Sequence, residues 1–414
     1  MSNSAVLERF LRYARVNTQS DPKSSTSPSA ARELDLARML FKELSDLGAK
    51  DVRLTEKGIV FASIPAAKGC EAAPAVGFIA HMDTSPDAPG EGVRPQILRY
   101  EGGDVTLNAE KGIVLEAARF PEILAYKGED IVFTDGTTLL GADDKAGMAA
   151  IMTMAAHMLA HPEEPHAAIR IAFTPDEEIG RGTENFDIKA FGAAYAYTFD
   201  GGEKGGLEWE NFNAGTARVR FLGLGVHPGS AKGKMANAVR AAAAFVASLP
   251  FDQAPETTED HEGFVHPHEI EGNVVSAAVE VLVRDHSRER YEEKKAMLER
   301  LAKEAAARFR GMRCEFSFEE SYENMRPYLE KTPKVLDIAR EAMKRAGIVP
   351  KEIPIRGGTD GAMLSAKGLP CPNIFGGGLN FHGVYEFLPV ASLEASAATA
   401  IEIARLSAEV NSLG

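Results

Sequence analysis

The sequence predicts an α/β fold: a mostly parallel sheet with helices on both faces, interrupted by an inserted α+β unit. Three observations predict it. The short apolar runs VGFIAHMD, IRIAFTPDEE and AYAYTFDGG stop abruptly at acidic or Gly-rich turns, as strands buried on both faces do. Between the first two lies GMAAIMTMAAHMLAH, a helical pattern of the kind that connects parallel strands. The pattern then changes near Ala214 and changes back near Tyr322, as expected for one unit set inside another.

The elements follow in order. MSNSAVLERFLRYARVNTQS reads as an amphipathic first helix without the apolar core of a secretion signal. Thr18 to Ser29 is a polar, proline-containing loop. Residues 31–48 resume helical spacing through Leu34, Leu36, Met39, Leu40, Leu44 and Leu47. Strand–helix alternation follows. From Ala214 come a strand (GTARVRFLGL), a helix (AKGKMANAVRAAAAFVASL), two strands (HEGFVHPHEI and NVVSAAVEVLVRD), a charged helix (SRERYEEKKAMLERLAKEAAARF) and a strand (MRCEFSF). That β-α-β-β-α-β order is ferredoxin-like. Beyond Tyr322 the first pattern returns and ends in a helix from Ser392 to Ala408. The expected division is therefore 1–213 and 322–414 for the larger domain and 214–321 for the insertion.

Composition narrows the function. A chain of 414 residues exceeds one compact core. With 44% hydrophobic and 26% charged residues it is ordinary for a globular protein, and no apolar run approaches the roughly 18 residues of a membrane span. A formal net charge of -14 argues against a nucleic-acid partner. Cys70, Cys314 and Cys371 are sparse and form no CxxC, which suits a reducing compartment and a cytoplasmic location.

Five short segments share one chemistry. AHMDTSP places His81 and Asp83 two apart, so an extended backbone points both side chains to the same face. LLGADDKAGMAA gives Asp143 and Asp144 just before a helix, TPDEEIGRG gives Glu177 and Glu178, TFDGGE gives Asp200, and NFHGVYE gives His382. Imidazole and carboxylate suit zinc, and also cobalt or manganese. One carboxylate can bridge two cations about 3.5–4 Å apart. Taken singly, each segment has an ordinary reading, since adjacent acids often cap helices or face solvent. Together, each at a strand end or a Gly-rich turn, they point to metal chemistry at the carboxyl edge of the sheet. Side chains one apart leave a strand end in different directions, so Glu177 and Glu178 should not share a role. HMLAH lacks the Glu of H-E-x-x-H and is followed by Pro162, which makes it a helix end.

AHMDTSP, LLGADDKAGMAA, FTPDEEIGRGT, AYTFDGGEKGGLEWENFNA, VHPGSAKGKMANA and IRGGTDGAMLSAKGLPCPNIF resemble the peptidase T, or tripeptide aminopeptidase, branch of the two-zinc aminopeptidase and acylase family. The likeness spans nearly the whole chain. It implies a zinc exopeptidase-like fold with an inserted lid and dimerisation-type domain, two Zn2+ per chain with Co2+ or Mn2+ as substitutes, and short peptides, chiefly tripeptides, as substrates. It further implies that His81, Asp143 and Asp200 hold one metal, and that Asp143, Glu178 and His382 hold the other. By the same resemblance Glu177 is the general base, Asp83 orients His81, the Asp143–Asp144 peptide is cis, and His227 stabilises the oxyanion. Arg284 and Asn273 resemble residues that grip the substrate, and Arg356 lines the pocket with them. Other readings stay open for these: His227 in a turn before Pro228, Arg284 in a surface salt bridge, Asn273 in a hairpin turn after Gly272. The chain departs from the branch at Leu379 and Val384, where an aromatic residue and a lysine are expected. An N-acyl amino acid hydrolase on the same metals is the alternative. Dimeric relatives carry the histidine equivalent to His227 into the partner's site, so a homodimer is compatible with the chain.

Overall fold

The computed structural model describes residues 4–413. The chain forms two compact units. One takes in the chain up to Trp209, Met325–Ile353 and the chain from Thr359 onward; the other comprises Glu210–Asn324 and Pro354–Gly358. The short second excursion, which overlaps the start of the IRGGTDG stretch, was not anticipated from the sequence, because five residues carry no period.

The larger unit is built on an eight-stranded sheet. Its centre is parallel: Ile169–Thr174 and Tyr195–Gly201 flank Val76–His81, and Asn373–Phe375 lies beyond Tyr195–Gly201. Val60–Ile64 and Gly206–Glu208 add on antiparallel, one on each side. Every residue of Val76–His81 is buried, which explains its unbroken apolar run. The register aligns His81 with Thr174 and Ile79 with Thr198. The strands therefore end together, at the edge where the acids follow.

Helix Ala142–Ala160 packs on this sheet and is buried along most of its length, consistent with its apolar composition. Gly147 permits the contact, since a Cβ there would stand 2.3 Å from the carbonyl oxygen of Phe199. That approach brings the start of the helix, with Asp143 and Asp144, beside the strand that ends at Asp200 and Gly201. The helix ends at Ala160 with His161 as its cap, as HMLAH followed by proline predicts.

A three-stranded antiparallel sheet was not foreseen. Gln96–Arg99 pairs with Asp130–Phe133, whose other neighbour is Leu388–Pro389. Tyr100, Leu107, Ile131, Phe133 and Phe387 form its core. It anchors the chain just after His382.

The smaller unit has the expected β-α-β-β-α-β order: Asn213–Leu222, Ala238–Val246, Phe264–Gly272, Ser276–Asp285, Arg288–Ala307 and Arg313–Tyr322. Its four strands are antiparallel, and buried residues alternate strictly along Ser276–Asp285. Val219, Phe221, Val279, Val281, Phe245 and Leu298 form the core beneath the two helices. Among the described residues no helix is long and apolar enough to cross a membrane.

Candidate metal centre

The expected ligands come from five segments and meet at the carboxyl edge of the parallel strands. His81 ends one strand, and its Nε2 lies 2.8 Å from Asp143 Oδ1 and 3.3 Å from Asp200 Oδ1. The other oxygen of Asp143 lies 3.2 Å from His382 Nε2, which is 2.9 Å from Glu178 Oε2. Asp143 thus stands between the two imidazoles, with Asp200 on the His81 side and Glu178 on the His382 side. The ligand atoms of His81, Asp143 and Glu178 lie within 4.8 Å of one another, as do those of His81, Asp144 and Asp200. Asp144 is nevertheless committed elsewhere. It accepts the N–H groups of Gly147 and His81 at 3.1 and 3.3 Å. The Asp143–Asp144 peptide is cis.

A family model described as "Peptidase family M20/M25/M40" matches residues 139–406. The chain belongs to this family. A protein of Geobacillus kaustophilus named peptidase T is 48% identical over 402 residues, covering 97% of this chain and 98% of that protein. Among solved structures, aminopeptidase PepT from Bacillus cereus superposes with a TM-score of 0.77 at 21% identity, covering 98% of each chain. The YXEP protein of Bacillus subtilis, described as a dinuclear metal-binding peptidase of family M20, gives 0.67 at 15% identity, also over 98% of each chain. These two likenesses show the fold.

The M20 centre of this chain suits a cation on physical grounds. Glu178 Oε1 is buried with no hydrogen-bond partner, and an orphaned carboxylate oxygen needs a positive partner. Burial, then Asp200, raises the Glu177 pKa well above the ordinary value. Burial and Asp143 raise Glu178 to about 7, and burial raises Asp200 to about 8. Burial opposes charge on His81, but Asp200, Asp143 and Asp83 outweigh it and raise its pKa well above normal. Hydrogen bonds to Asp143 and Glu178 raise His382 to about 11. Buried carboxylates outnumber the imidazoles here, so divalent cations among them would relieve their mutual repulsion.

The turn bearing the two glutamates is held from two directions. After Thr174 the chain turns through Asp176, at φ 63°, into a short 3-10 turn, Glu177–Ile179. On one side, Asp83 accepts the N–H groups of Glu177 and Glu178. Its Oδ1 also lies 3.4 Å from His81 Nδ1, while its backbone oxygen lies nearer, at 3.1 Å. On the other side is the polar loop after the first helix, whose role in the site was not read from the sequence. Both oxygens of Asp176 accept the N–H of Ser29 at 2.9 Å, and Arg181 donates to the carbonyls of Ser24 and Thr26. Glu386 was also missed. Its buried carboxylate accepts N–H groups of the Asp143 turn.

The remaining candidates lie in the smaller unit. His227 is exposed, and its Nδ1 accepts the Gly229 N–H in the turn that Pro228 starts. Arg284 donates to the carbonyls of Gly215 and Val283 and lies over the Tyr322 ring. Asn273 closes a hairpin, accepting the N–H groups of Val275 and Ser276 on its side-chain oxygen. Arg356 donates to the carbonyls of Thr258, Asp260 and Glu262 and stacks on Phe212 and Phe264.

Proposed function

We propose that this chain is a two-metal aminopeptidase that releases the N-terminal residue from short peptides, chiefly tripeptides, with Glu177 as general base. The observation that carries the reading is Asp143 between His81 and His382, with Asp200 and Glu178 on opposite sides. The 48% identity to a peptidase T over nearly the whole chain supports the substrate class.

His81, Asp143 and Asp200 would hold one cation, and Asp143, Glu178 and His382 the other. Zinc fits this nitrogen and oxygen set best, with cobalt or manganese as substitutes. Bound there, the pair would polarise the scissile carbonyl and acidify the attacking water. Glu177 takes the proton from that water and passes it to the leaving amine. Asp83 fixes the direction of both glutamates through their backbone. His227 is assigned to the developing oxyanion and Arg284 to the peptide carboxylate. Asn273, Arg284 and Arg356 all hydrogen-bond the backbone of their own unit, which supports a structural role for each, and the substrate role of Arg284 rests on the resemblance alone. The unpaired Cys70, Cys314 and Cys371 accord with a cytoplasmic setting.

The test is a panel of di-, tri- and tetrapeptides and N-acyl amino acids, assayed before and after chelation and again with zinc, cobalt or manganese restored. Tripeptides with a free N-terminus should be cleaved fastest, and chelation should abolish turnover. Preference for N-acyl amino acids would move the chain to the acylase side of the family. Full turnover after exhaustive chelation would overturn the mechanism.

A further inference from the structure

Glu386 is 2% exposed and lies at the base of the loop that presents His382. The loop is closed by reciprocal backbone bonds, Leu379 N–H to Phe387 O at 2.9 Å and Phe387 N–H to Leu379 O at 3.1 Å. Phe387 is fixed in turn in the core of the small antiparallel sheet, against Phe133 and Tyr126. From this anchored base the Glu386 carboxylate reaches a different loop. Oε2 accepts the N–H groups of Leu140 and Gly141, each at 2.7 Å, and Oε1 accepts those of Ala142 and Asp143 at 2.6 and 3.2 Å. Consecutive N–H groups converge this way because Gly141 adopts φ 75°, forming the backbone concavity that suits an anion. Lys145, on the same turn, donates its Nζ to Val16 O instead.

We propose that Glu386 is a positioning residue: by tying the Asp143 loop to the His382 loop it sets the distance between these two ligands. The inference rests on the two-cation reading above. The physical reason is that charge-assisted hydrogen bonds are short and directional. Four of them on one rigid carboxylate leave the two loops little freedom to separate. Because Asp143 stands between both imidazoles, a shift of its loop would disturb both cations.

The experiment compares wild type with Glu386→Gln, Glu386→Asp and Leu393→Ala. Leu393 is a fully buried apolar residue of helix Val390–Leu406 whose truncation lowers stability without removing a hydrogen bond to either ligand loop. Cation stoichiometry and affinity are read by chelator competition, the cobalt(II) spectrum reports ligand geometry, and thermal unfolding reports stability. Glu386→Gln turns an amide NH2 toward two N–H donors, and it should bind both cations roughly 10–100-fold more weakly, the usual scale for groups that orient ligands, with an altered cobalt spectrum. Glu386→Asp keeps the charge but is one methylene short, and should show the same losses to a smaller degree; it serves if the glutamine variant does not fold. Leu393→Ala should lose stability yet keep wild-type affinity and spectrum. If the Glu386 variants bind two cations with wild-type affinity and spectrum, the positioning role is overturned and the two-cation reading stands. A wild type that binds fewer than two cations overturns both.

Discussion

Asp83 Oδ1 accepts the backbone N–H of Glu177 at 2.9 Å. Its Oδ2 takes the next N–H, that of Glu178, at 3.1 Å. One buried carboxylate therefore fixes the turn on which both glutamates stand, besides lying near His81. Asp83→Asn keeps the shape but offers only one acceptor where two donors converge. It is expected to lower kcat about 10–100-fold while leaving at least one cation bound. Metal content and kcat measured together check this, and an unchanged kcat would remove Asp83 from the machinery.

Glu177 and Glu178 occupy adjacent positions but different surroundings. Glu178 Oε2 is 2.9 Å from His382 and its Oε1 is unpartnered. Glu177→Gln is expected to purify with both cations and to lose roughly 10²–10⁴ in kcat, the scale of general-base catalysis. Glu178→Gln should instead lose one cation and regain part of its activity when metal is added. Elemental analysis beside turnover decides it. One cation in Glu177→Gln and two in Glu178→Gln would reverse the roles.

Asn273 and Arg284 both bond the backbone of their own unit and can be separated by substitution. Asn273 Oδ1 bonds only within its own hairpin, to Val275 and Ser276. Asn273→Ala should cost about 1 kcal/mol of stability, the net value of such bonds, with kcat/KM for a tripeptide unchanged. Arg284→Ala should raise KM. Denaturant unfolding and steady-state kinetics on both variants test this. A large kcat/KM loss in Asn273→Ala would restore it to the substrate site.

Acid stability should report on Glu164. Arg405 donates to both its oxygens, at 2.8 and 3.0 Å, and His157 Nε2 lies 3.0 Å from Oε2. The Arg405 hydrogen bonds come first among the causes that lower the Glu164 pKa from 4.5 to about 2. A carboxylate depressed in the folded state contributes stability that is present above its unfolded pKa and is lost as pH falls through the folded one. Wild type and Glu164→Gln should therefore differ in Tm above about pH 4.5 and converge near about pH 2, with a modest gap because solvent screens part of the pair. Parallel Tm curves across that range would exclude the linkage.

Much of this protein was legible as sequence because its signals are local. Apolar runs stopping at His81, Thr174 and Asp200 marked strand ends. A helical pattern marked a helix over 147–161, and the run NVVSAAVEVLVRD marked a strand. Motifs of a few residues carried the ligand types and, by resemblance, the family. What the tertiary structure decided was which side chain of each pair is free and what holds it. Asp143 faces the imidazoles while Asp144 bonds the backbone of His81 and Gly147. Asp176 ties the turn that carries Glu177 and Glu178 to Ser29, 147 positions away, and Glu386 reaches Leu140 across 246. Such bonds leave no period and no local composition in the chain. Their partners become neighbours only when burial of separate apolar segments brings distant loops to one edge of the sheet.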